Sequence, residues 1–293
     1  MMMMHALLSL GFAAAVARIT VPYALAALGG TLSERSGVIN IALEGLMLMG
    51  AFCATLGAWA GHGALPGVAA GVAGGVALAA IYALVTVRLG GDQIVCGVAL
   101  NLLADGLTRF LLKATFDSSS NSPRVDAWGN AGPPLMAIAV GLVLLVHLVL
   151  YGTPFGLRLR AVGEHPEAAA SLGVRPARVR WAAVLLSGAL AGLAGVWLAA
   201  DQRQFVAGMS NGRGYIALAA LIFGGWRPVW AAAACLLFGV AEGTQIALQA
   251  SGVGVPGWVV QMLPYVLTMV TLAGRSAKNG RSNAPRALGR RDV

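Results

Sequence analysis

Charged residues are scarce in this chain of 293 residues. Lys, Arg, Asp and Glu together make up 11% of the sequence, whereas hydrophobic residues make up 58%, and the mean hydropathy is +0.77. A soluble domain of this length needs far more charge to cover its surface. The composition therefore excludes an ordinary soluble domain and indicates a protein embedded in a membrane.

Residues that commonly carry catalysis, metal binding or nucleotide binding are also few. Three cysteines, Cys53, Cys96 and Cys235, lie singly in apolar runs, and the four histidines show no metal-binding spacing. Neither of the two lysines, Lys113 and Lys278, follows a glycine-rich loop of the kind that cradles ATP phosphates. We therefore expect no enzyme, no metal site and no cofactor bound by this chain itself.

Apolar runs near twenty residues, about the length that spans ~30 Å of hydrocarbon as a helix, recur along the sequence. The predicted spans cover residues 7–30, 38–59, 65–87, 94–112, 134–151, 182–200, 214–224, 229–248 and 257–273. The run at 214–224 is short for a crossing and predicts a broken or re-entrant helix. The expected fold class is all-α, a polytopic bundle of eight to ten transmembrane helices, with residues 1–274 as one domain.

Small residues recur at four-residue spacing inside two of the predicted spans. Gly67, Gly71 and Gly75 form one row, and Gly188 and Gly192 form another. Such spacing places each row on one helix face, where the backbone of a neighbouring helix can approach closely. We therefore expect these two helices to pack tightly within the bundle.

Basic residues cluster in two places, which sets the expected orientation. Five lie between Arg158 and Arg180, and six lie between Arg275 and Arg291. Because basic residues near the ends of spans mark the cytoplasmic side, we expect loop 154–180 and tail 275–293 to be cytoplasmic and segment 117–134 to be outside. The tail is predicted to be disordered and to meet anionic headgroups of the lipid bilayer, so the net charge of +9 requires no nucleic acid as a partner.

Polar and charged residues inside the spans are expensive in lipid and are candidates for function. Three predicted spans carry such residues on one helix face; the members are Asn40 and Glu44, then Asn101, Asp105 and Arg109, then Glu242 and Gln245. Three polar faces in one bundle indicate a lined passage for a polar solute. For the neighbouring Asp105 and Arg109, a purely structural ion pair is an equally good interpretation.

The stretch AVGEHPEAAASLGVRP, residues 161–176, is a polar segment in the predicted cytoplasmic loop. Pro166 can start a helix, Glu167 suits its positive end, and Gly173 can terminate it. A helix of about seven residues is barely stable alone, so we expect it to pack against a partner. The residues assigned to this contact are Glu164, Pro166, Glu167, Ala168, Ala169, Ser171, Leu172 and Gly173, with Ala168, Ala169 and Leu172 as the apolar docking face.

Several of these stretches resemble the permease subunits of binding-protein-dependent ABC importers, in the branch that includes ribose, branched-chain amino acid and nucleoside permeases. The stretches that carry the resemblance begin at Thr31 (TLSERSGVINIALEGLMLMGAF), Gly91 (GDQIVCGVALNLLADGLTRFLL), Ala161 (AVGEHPEAAASLGVRPARVRWAAVLLSGALAGLAG), Gly212 (GRGYIALAALIFGGWRPVWAAAACLLFG) and Gln261 (QMLPYVLTMVTLAG). They follow one another in the family's order. Residues 33–37, Asn40 and Glu44 are most similar to the nucleoside, or simple sugar, group.

The resemblance implies a multi-pass subunit of the bacterial inner membrane that moves a nucleoside or simple sugar. It implies four partners: an ABC ATPase that uses the ATP, a second permease chain (related or identical), a solute-binding lipoprotein outside, and the bilayer. It also implies that residues 164–173 form a coupling helix for the ATPase. A branched-chain amino acid permease and an ion-coupled secondary carrier remain as alternatives.

Overall fold

The computed structural model describes residues 10–129, 131–250 and 284–290, and these residues fold mainly into helices. In chain order the helices are α1 (Leu10–Arg35), α2 (Leu43–Ala60), α3 (Ala64–Ala83, extended by the π-helical turn Leu84–Arg88), α4 (Gln93–Phe116), α5 (Gly132–Gly152), α6 (Pro154–Glu164), α7 (Pro166–Ser171), α8 (Pro176–Gln202), α9 (Arg213–Phe223) and α10 (Pro228–Ala250). This architecture confirms the predicted all-α fold class.

Among the described residues, seven helices are long and apolar enough to cross a membrane. They cover Gly11–Arg35, Leu43–Ala60, Ala64–Arg88, Gln93–Phe116, Gly132–Gly152, Pro176–Gln202 and Pro228–Gln249. Helix α9 has only 11 residues, so at about 1.5 Å per residue it is roughly half a crossing long, in agreement with the broken helix predicted at 214–224. The span predicted at 257–273 lies outside the described residues.

The two ends of the bundle differ in charge. One end, which we call the arginine-rich end, carries Arg35, Arg88, Arg160, Arg175 and Arg227 at or beside the ends of helices. At the opposite end, segment 117–125 pairs with segment 203–207 through three backbone hydrogen bonds of 2.8 to 2.9 Å. The polar segment predicted to lie away from the basic loops is therefore at the other end of the bundle from them.

Local sequence signals explain where several helices begin. The side chain of Asp92 accepts hydrogen bonds from the backbone of Ile94 and Val95, both at 3.0 Å, and so caps α4. Thr153 caps α6 in the same way through the backbone of Gly156. Helices α6, α7 and α8 all begin at a proline, a residue whose missing N–H costs nothing at the first helical position.

Helices α2 and α8 form the centre of the bundle. About 67% of the α2 span and 72% of the α8 span are buried, against 22% for α5. Glycines allow α2, α3 and α8 to touch backbone to backbone: a methyl group added to Gly50 would lie 2.6 Å from the Cα of Gly192, and one added to Gly75 would lie 2.7 Å from that same atom. The glycine rows predicted from the sequence are thus confirmed as the packing faces of α3 and α8.

Part of the C-terminal tail lies against the arginine-rich end. The backbone N–H of Ala287 donates to the carbonyl of Gly163 at 2.9 Å, and that of Gly289 donates to the carbonyl of Gly37 at 3.0 Å. Ala287 is fully buried. The expectation of a disordered tail over 275–293 is therefore corrected for residues 284–290, whose backbone hydrogen bonds hold them on the bundle.

The glycine contact between α3 and α8 predicts a position-dependent cost of adding one methyl group. In Gly192→Ala the new carbon would lie 2.8 Å from the carbonyl oxygen of Gly71, so the helices must separate, at a cost of about 1–3 kcal/mol. Gly141→Ala, on α5, is the matched control because open space surrounds that position. Thermal unfolding in detergent should show a lower Tm for Gly192→Ala only; equal Tm values for the two variants would contradict the packing.

Candidate functional site

Helix α9 begins near the middle of the bundle rather than at an end. The turn after its C-terminal end places Trp226 against Arg35 and Glu34 at the arginine-rich end. There the Trp226 indole N–H donates to Glu34 at 2.5 Å. From there its 11 residues extend about 16 Å into the bundle, roughly half of the ~30 Å hydrocarbon thickness. The N-terminal end of α9, which carries the partial positive charge of the helix dipole, therefore lies at mid-membrane depth.

The carboxylate of Glu44, in the first turn of α2, caps this helix start. It accepts hydrogen bonds from the backbone N–H groups of Gly212 and Gly214, both at 2.7 Å. Gly212 has φ +80°, which favours glycine, and a methyl group added to Gly214 would lie 2.5 Å from the backbone nitrogen of Glu44. The close approach of α9 to α2 thus depends on both glycines, and the negative charge lies at the end of the helix dipole that stabilises it.

Asn101, on α4, connects the start of α2 to α9. Its Oδ1 accepts from the backbone N–H of Gly45 at 2.8 Å, while its Nδ2 donates to the carbonyl of Ile41 and to the Tyr215 hydroxyl, each at 3.0 Å. Three hydrogen bonds use nearly the full capacity of an amide side chain. Asn101 is therefore held in one orientation next to the Glu44 carboxylate.

Residues 38–42, between α1 and α2, are not helical, and their backbone needs partners at this depth. Gln93 supplies one through its Oε1, which accepts from the backbone N–H of Ile39 at 2.8 Å. The hydroxyl of Tyr82 donates to the Ile39 carbonyl and contacts the Gln93 carbonyl at 3.0 Å. Side chains from α3 and α4 thus replace the hydrogen bonds that a helix would provide.

A second acidic group lies on the other side of the α9 start. Glu242, on α10, accepts a hydrogen bond from the Tyr23 hydroxyl on α1, and its Oε1 lies 3.5 Å from Nη2 of Arg213. Arg213 also donates through Nη1 to the carbonyl of Met209 at 2.9 Å. The side chains of Arg213 and Glu242 are about one-fifth exposed, so this pair is only partly desolvated.

Asn40 lies in the segment before α2 and contacts α8. Its Nδ2 donates to the Ser187 hydroxyl at 2.9 Å, whereas its buried Oδ1 has no hydrogen-bond partner among the described residues. An unpaired buried carbonyl costs about 1–3 kcal/mol. Glu44, Asn101 and Glu242, one from each predicted polar face, therefore lie at the start of α9, whereas Asn40 contacts α8.

Asp105 and Arg109 lie farther along α4, towards the opposite end. They form the predicted ion pair at 3.0 Å, with side chains 44% and 53% exposed, and the Arg109 guanidinium lies beside Gly208. Gln245 is half-buried one turn beyond Glu242 on α10. No hydrogen bond joins Gln245 to the cluster within the described part of the chain, so these residues flank the site.

Helix α7 lies at the arginine-rich end, as the segment 164–173 predicts. It spans Pro166–Ser171, and Gly173, with φ +82°, follows its end. Its Pro166 and Ala169 are buried against the bundle, whereas its outer surface consists of the exposed Glu167, Ala168, Ser171 and Leu172. The docking face expected from Ala168, Ala169 and Leu172 is therefore corrected: Ala169 anchors the helix to its own chain, because it lies three residues from Pro166 and so shares the inward face.

Several residues of the site escape sequence analysis. Tyr23, Tyr82 and Ser187 are single polar side chains in otherwise apolar helices, and such residues are common without special function. Arg213 and Tyr215 lie at the start of the short run 214–224, and the GRGY sequence there is the one signal that marks a helix start. The contacts that unite these residues connect α1 to α10 and α2 to α9, and pairings so distant in sequence leave no local pattern.

Comparisons with known proteins place the chain in context. Residues 12–272 match the family model described as branched-chain amino acid transport system / permease component. The chain is 36% identical to the guanosine ABC transporter permease protein NupQ of Bacillus subtilis, and 36% identical to the nucleoside ABC transporter permease protein NupC of Lactococcus lactis; each alignment covers 92% of both proteins. It is 34% identical to the putative glucose ABC transporter permease protein TsgC13 of Haloferax volcanii, over 82% of this chain and 79% of that protein.

The capping contact predicts that Glu44 stabilises the bundle through its two acceptor oxygens. Glu44→Ala leaves two N–H groups at the start of α9 unpaired and should lower the free energy of unfolding by about 1–3 kcal/mol. Glu44→Gln keeps one acceptor oxygen and should cost less. The exposed Asp126, at the opposite end, provides the control Asp126→Ala. Thermal unfolding in detergent should give the order Glu44→Ala, Glu44→Gln, then wild type and control together; an unchanged Tm for Glu44→Ala would refute the cap.

Proposed function

This chain belongs to the family of branched-chain amino acid transport system permease components, and we propose that it forms the translocation path of an ABC importer for a nucleoside or a simple sugar. The observation that carries this proposal is the polar cluster at the start of α9, at mid-membrane depth in a bundle of apolar helices. Transporters commonly bind their solutes at such interrupted helices.

The chemistry of the cluster suits a neutral solute with several hydroxyl and ring groups. Glu44 and Glu242 are acceptors, Arg213 is a donor, and the hydroxyls of Tyr23 and Tyr215 are both. Two tyrosine rings next to these groups offer flat apolar faces for a sugar or a base. The named relatives transport guanosine, nucleosides and, putatively, glucose, which supports the same solute class for this chain.

In this proposal the path continues from the cluster towards the opposite end. Asn40, Glu44, Asn101 and Glu242 line its middle, with Gln245 one turn farther along α10. The Asp105 and Arg109 pair lies near the loop that contains Gly208 and borders the outer entrance. A partly exposed ion pair contributes little to stability, so its charges remain available to a passing solute.

The arginine-rich end faces the cytoplasm in this proposal. Arginines next to helix ends concentrate there, at positions 35, 88, 160, 175 and 227, as expected for the cytoplasmic side of a multi-pass membrane protein. Loop 154–180 and residues 284–290 of the tail lie at the same end. The proposed location is the bacterial cell (inner) membrane, in line with the bacterial relatives NupQ and NupC.

The exposed side of α7 is the proposed contact with the ATPase. Leu172, directly after the last residue of α7, is 85% exposed and offers an apolar side chain to a partner. The base of α7 is held tightly, because Gly163 packs against the backbone carbonyl of Arg35 and its own carbonyl accepts from Ala287. A firmly seated helix with an exposed apolar tip is suited to transmit movement from a partner.

The remaining partners follow from the family. We propose that the ATP is bound and hydrolysed by a separate ATPase subunit and that this chain binds no nucleotide. A second permease chain, related or identical, completes the path, and an extracytoplasmic lipoprotein delivers the solute. The other candidates are a branched-chain amino acid permease, which the family description favours, and an ion-coupled carrier.

The solute class is tested by uptake in cells that express the complete importer. Labelled guanosine, glucose, ribose and leucine are offered separately. Uptake of guanosine, or of a sugar, is expected, and should stop when the ATPase subunit carries an inactivating substitution. Uptake of leucine alone would favour the amino acid alternative. Uptake that persists without ATP hydrolysis and stops with a proton ionophore would instead favour the secondary carrier.

The proposed ATPase contact is tested by Leu172→Glu, which places a charge on the exposed tip of α7 without disturbing the buried Ala169. The expected result is loss of ATPase co-purification and of uptake, at an unchanged Tm of the permease. Leu65→Glu is the matched control, since Leu65 is 82% exposed but lies at the opposite end. Retained co-purification and uptake in Leu172→Glu would mean that α7 is a surface helix without this role.

A further inference from the structure

A cavity of about 680 Å³ opens at the arginine-rich end, separate from the polar cluster at the start of α9. It lies between the end of α1, the last turns of α5, helix α6 and the beginning of α10. The side chains that carry its chemistry are Arg35, His147, Tyr151, Arg160, Arg227 and Trp230. None of these residues belongs to the proposed solute path or to the exposed face of α7.

The cavity concentrates positive charge. Arg35, Arg160 and Arg227 all line it, and within the ranges that the structure describes none of the three guanidinium groups makes an ion pair. Arg35 donates through Nε to the carbonyl of Trp226 at 2.8 Å, which fixes its position but leaves its charge uncompensated. Glu164 is the acidic group close enough to Arg35 to interact with it, so two positive charges remain in excess.

Two buried nitrogen atoms at the cavity are without hydrogen-bond partners. They are Nε of Arg160 and Nδ1 of His147. The guanidinium carbon of Arg160 lies 4.9 Å from the centre of the Tyr151 ring, and the His147 ring lies 4.9 Å from the same ring, so all three side chains are stacked in one place. An anion with several oxygen atoms in the cavity would neutralise the arginines.

The cavity lies beside the end of α5 and the start of α10, and apolar side chains surround it. Trp230, 63% exposed, is in the first turn of α10, and Tyr151 is one residue from the end of α5. Aromatic residues at helix ends are typical of the headgroup region of a membrane. Leu148, 61% exposed, lies one turn deeper on α5 and Val229 lies beside Trp230, so apolar surface extends from the cavity towards the hydrocarbon.

We propose that this cavity binds the phosphate group of an anionic phospholipid from the adjoining leaflet. The arginines hold the phosphodiester, the Tyr151 and Trp230 rings lie at the glycerol level, and the acyl chains follow α5 past Leu148. Basic pockets between membrane helices bind lipid headgroups by the same combination of charge and apolar wall. A free phosphate ion has the charge but gains nothing from the apolar surface, so the geometry favours the lipid as the source.

The proposal is tested with the full chain in nanodiscs of phosphatidylcholine to which phosphatidylglycerol is added in steps. Bound phosphatidylglycerol is counted by native mass spectrometry. Each arginine near the surface strengthens the binding of anionic lipid about fivefold. The double variant Arg160→Gln with Arg227→Gln should therefore bind phosphatidylglycerol about 25-fold more weakly than the wild type. Arg88→Gln is the matched control, since Arg88 is exposed at the same end but does not line the cavity.

Charge and fold are separated by the variant Arg160→Lys with Arg227→Lys. It should keep most of the preference for phosphatidylglycerol, and the Tm of each variant in phosphatidylcholine shows that the bundle is folded. Equal binding by the glutamine variant and the wild type would overturn the proposal. Displacement of the lipid by millimolar inorganic phosphate would identify a simple anion site instead, and loss of the bound lipid when the ATPase subunit assembles would show that the cavity is a protein contact.

Discussion

A bilayer leaves no water for backbone groups, so each break in a helix within the hydrocarbon requires its own hydrogen-bond partners. The described residues contain two such breaks close together, at residues 38–42 before α2 and at residues 208–212 before α9. The Glu44 carboxylate connects the two, because it belongs to the first turn of α2, directly after one break, and accepts from the start of α9, directly after the other. The N-terminal end of α9, and with it Arg213 and Tyr215, is held against α2 by this interaction.

The solution to the backbone problem also creates the chemistry of the site. Apolar helices alone offer no group that recognises a polar solute. Interrupting them exposes N–H and C=O groups, which attract side chains such as Asn101, Gln93 and Glu44, and these side chains then collect in the middle of the bundle. In the proposed path, the side chains that stabilise the breaks also offer hydrogen bonds to a solute, so stability and transport would depend on the same residues.

Sequence analysis predicted much of this fold, because membrane helices and their caps are local features. Apolar length located the seven spans, the short run at 214–224 indicated a partial helix, and glycine spacing identified the tight α3–α8 contact. The site was predicted only as separate polar faces. Which faces meet depends on pairings such as Tyr23 with Glu242 or Asn40 with Ser187, distant in sequence. The orientation of Ala169 was also missed, because six residues of helix are too few to show which side faces inward.

The proposed ATPase contact at α7 and the polar cluster at the start of α9 are connected through short segments. Gly163, before α7, packs on the carbonyl of Arg35, and Arg180, at the start of α8, donates to the carbonyl of Ser36 at 3.3 Å. Only eight positions separate Ser36 from Glu44, and their backbone is held by Gln93 and Tyr82. In the proposed coupling, a displacement of α7 by a partner would pass to residues 35–44 and then to the start of α9. For such a displacement to drive transport, the partner must bind one arrangement of these segments more tightly than the other. The tail residues Ala287 and Gly289 donate to the carbonyls of Gly163 and Gly37, and so tie the segment before α7 to the segment before α2.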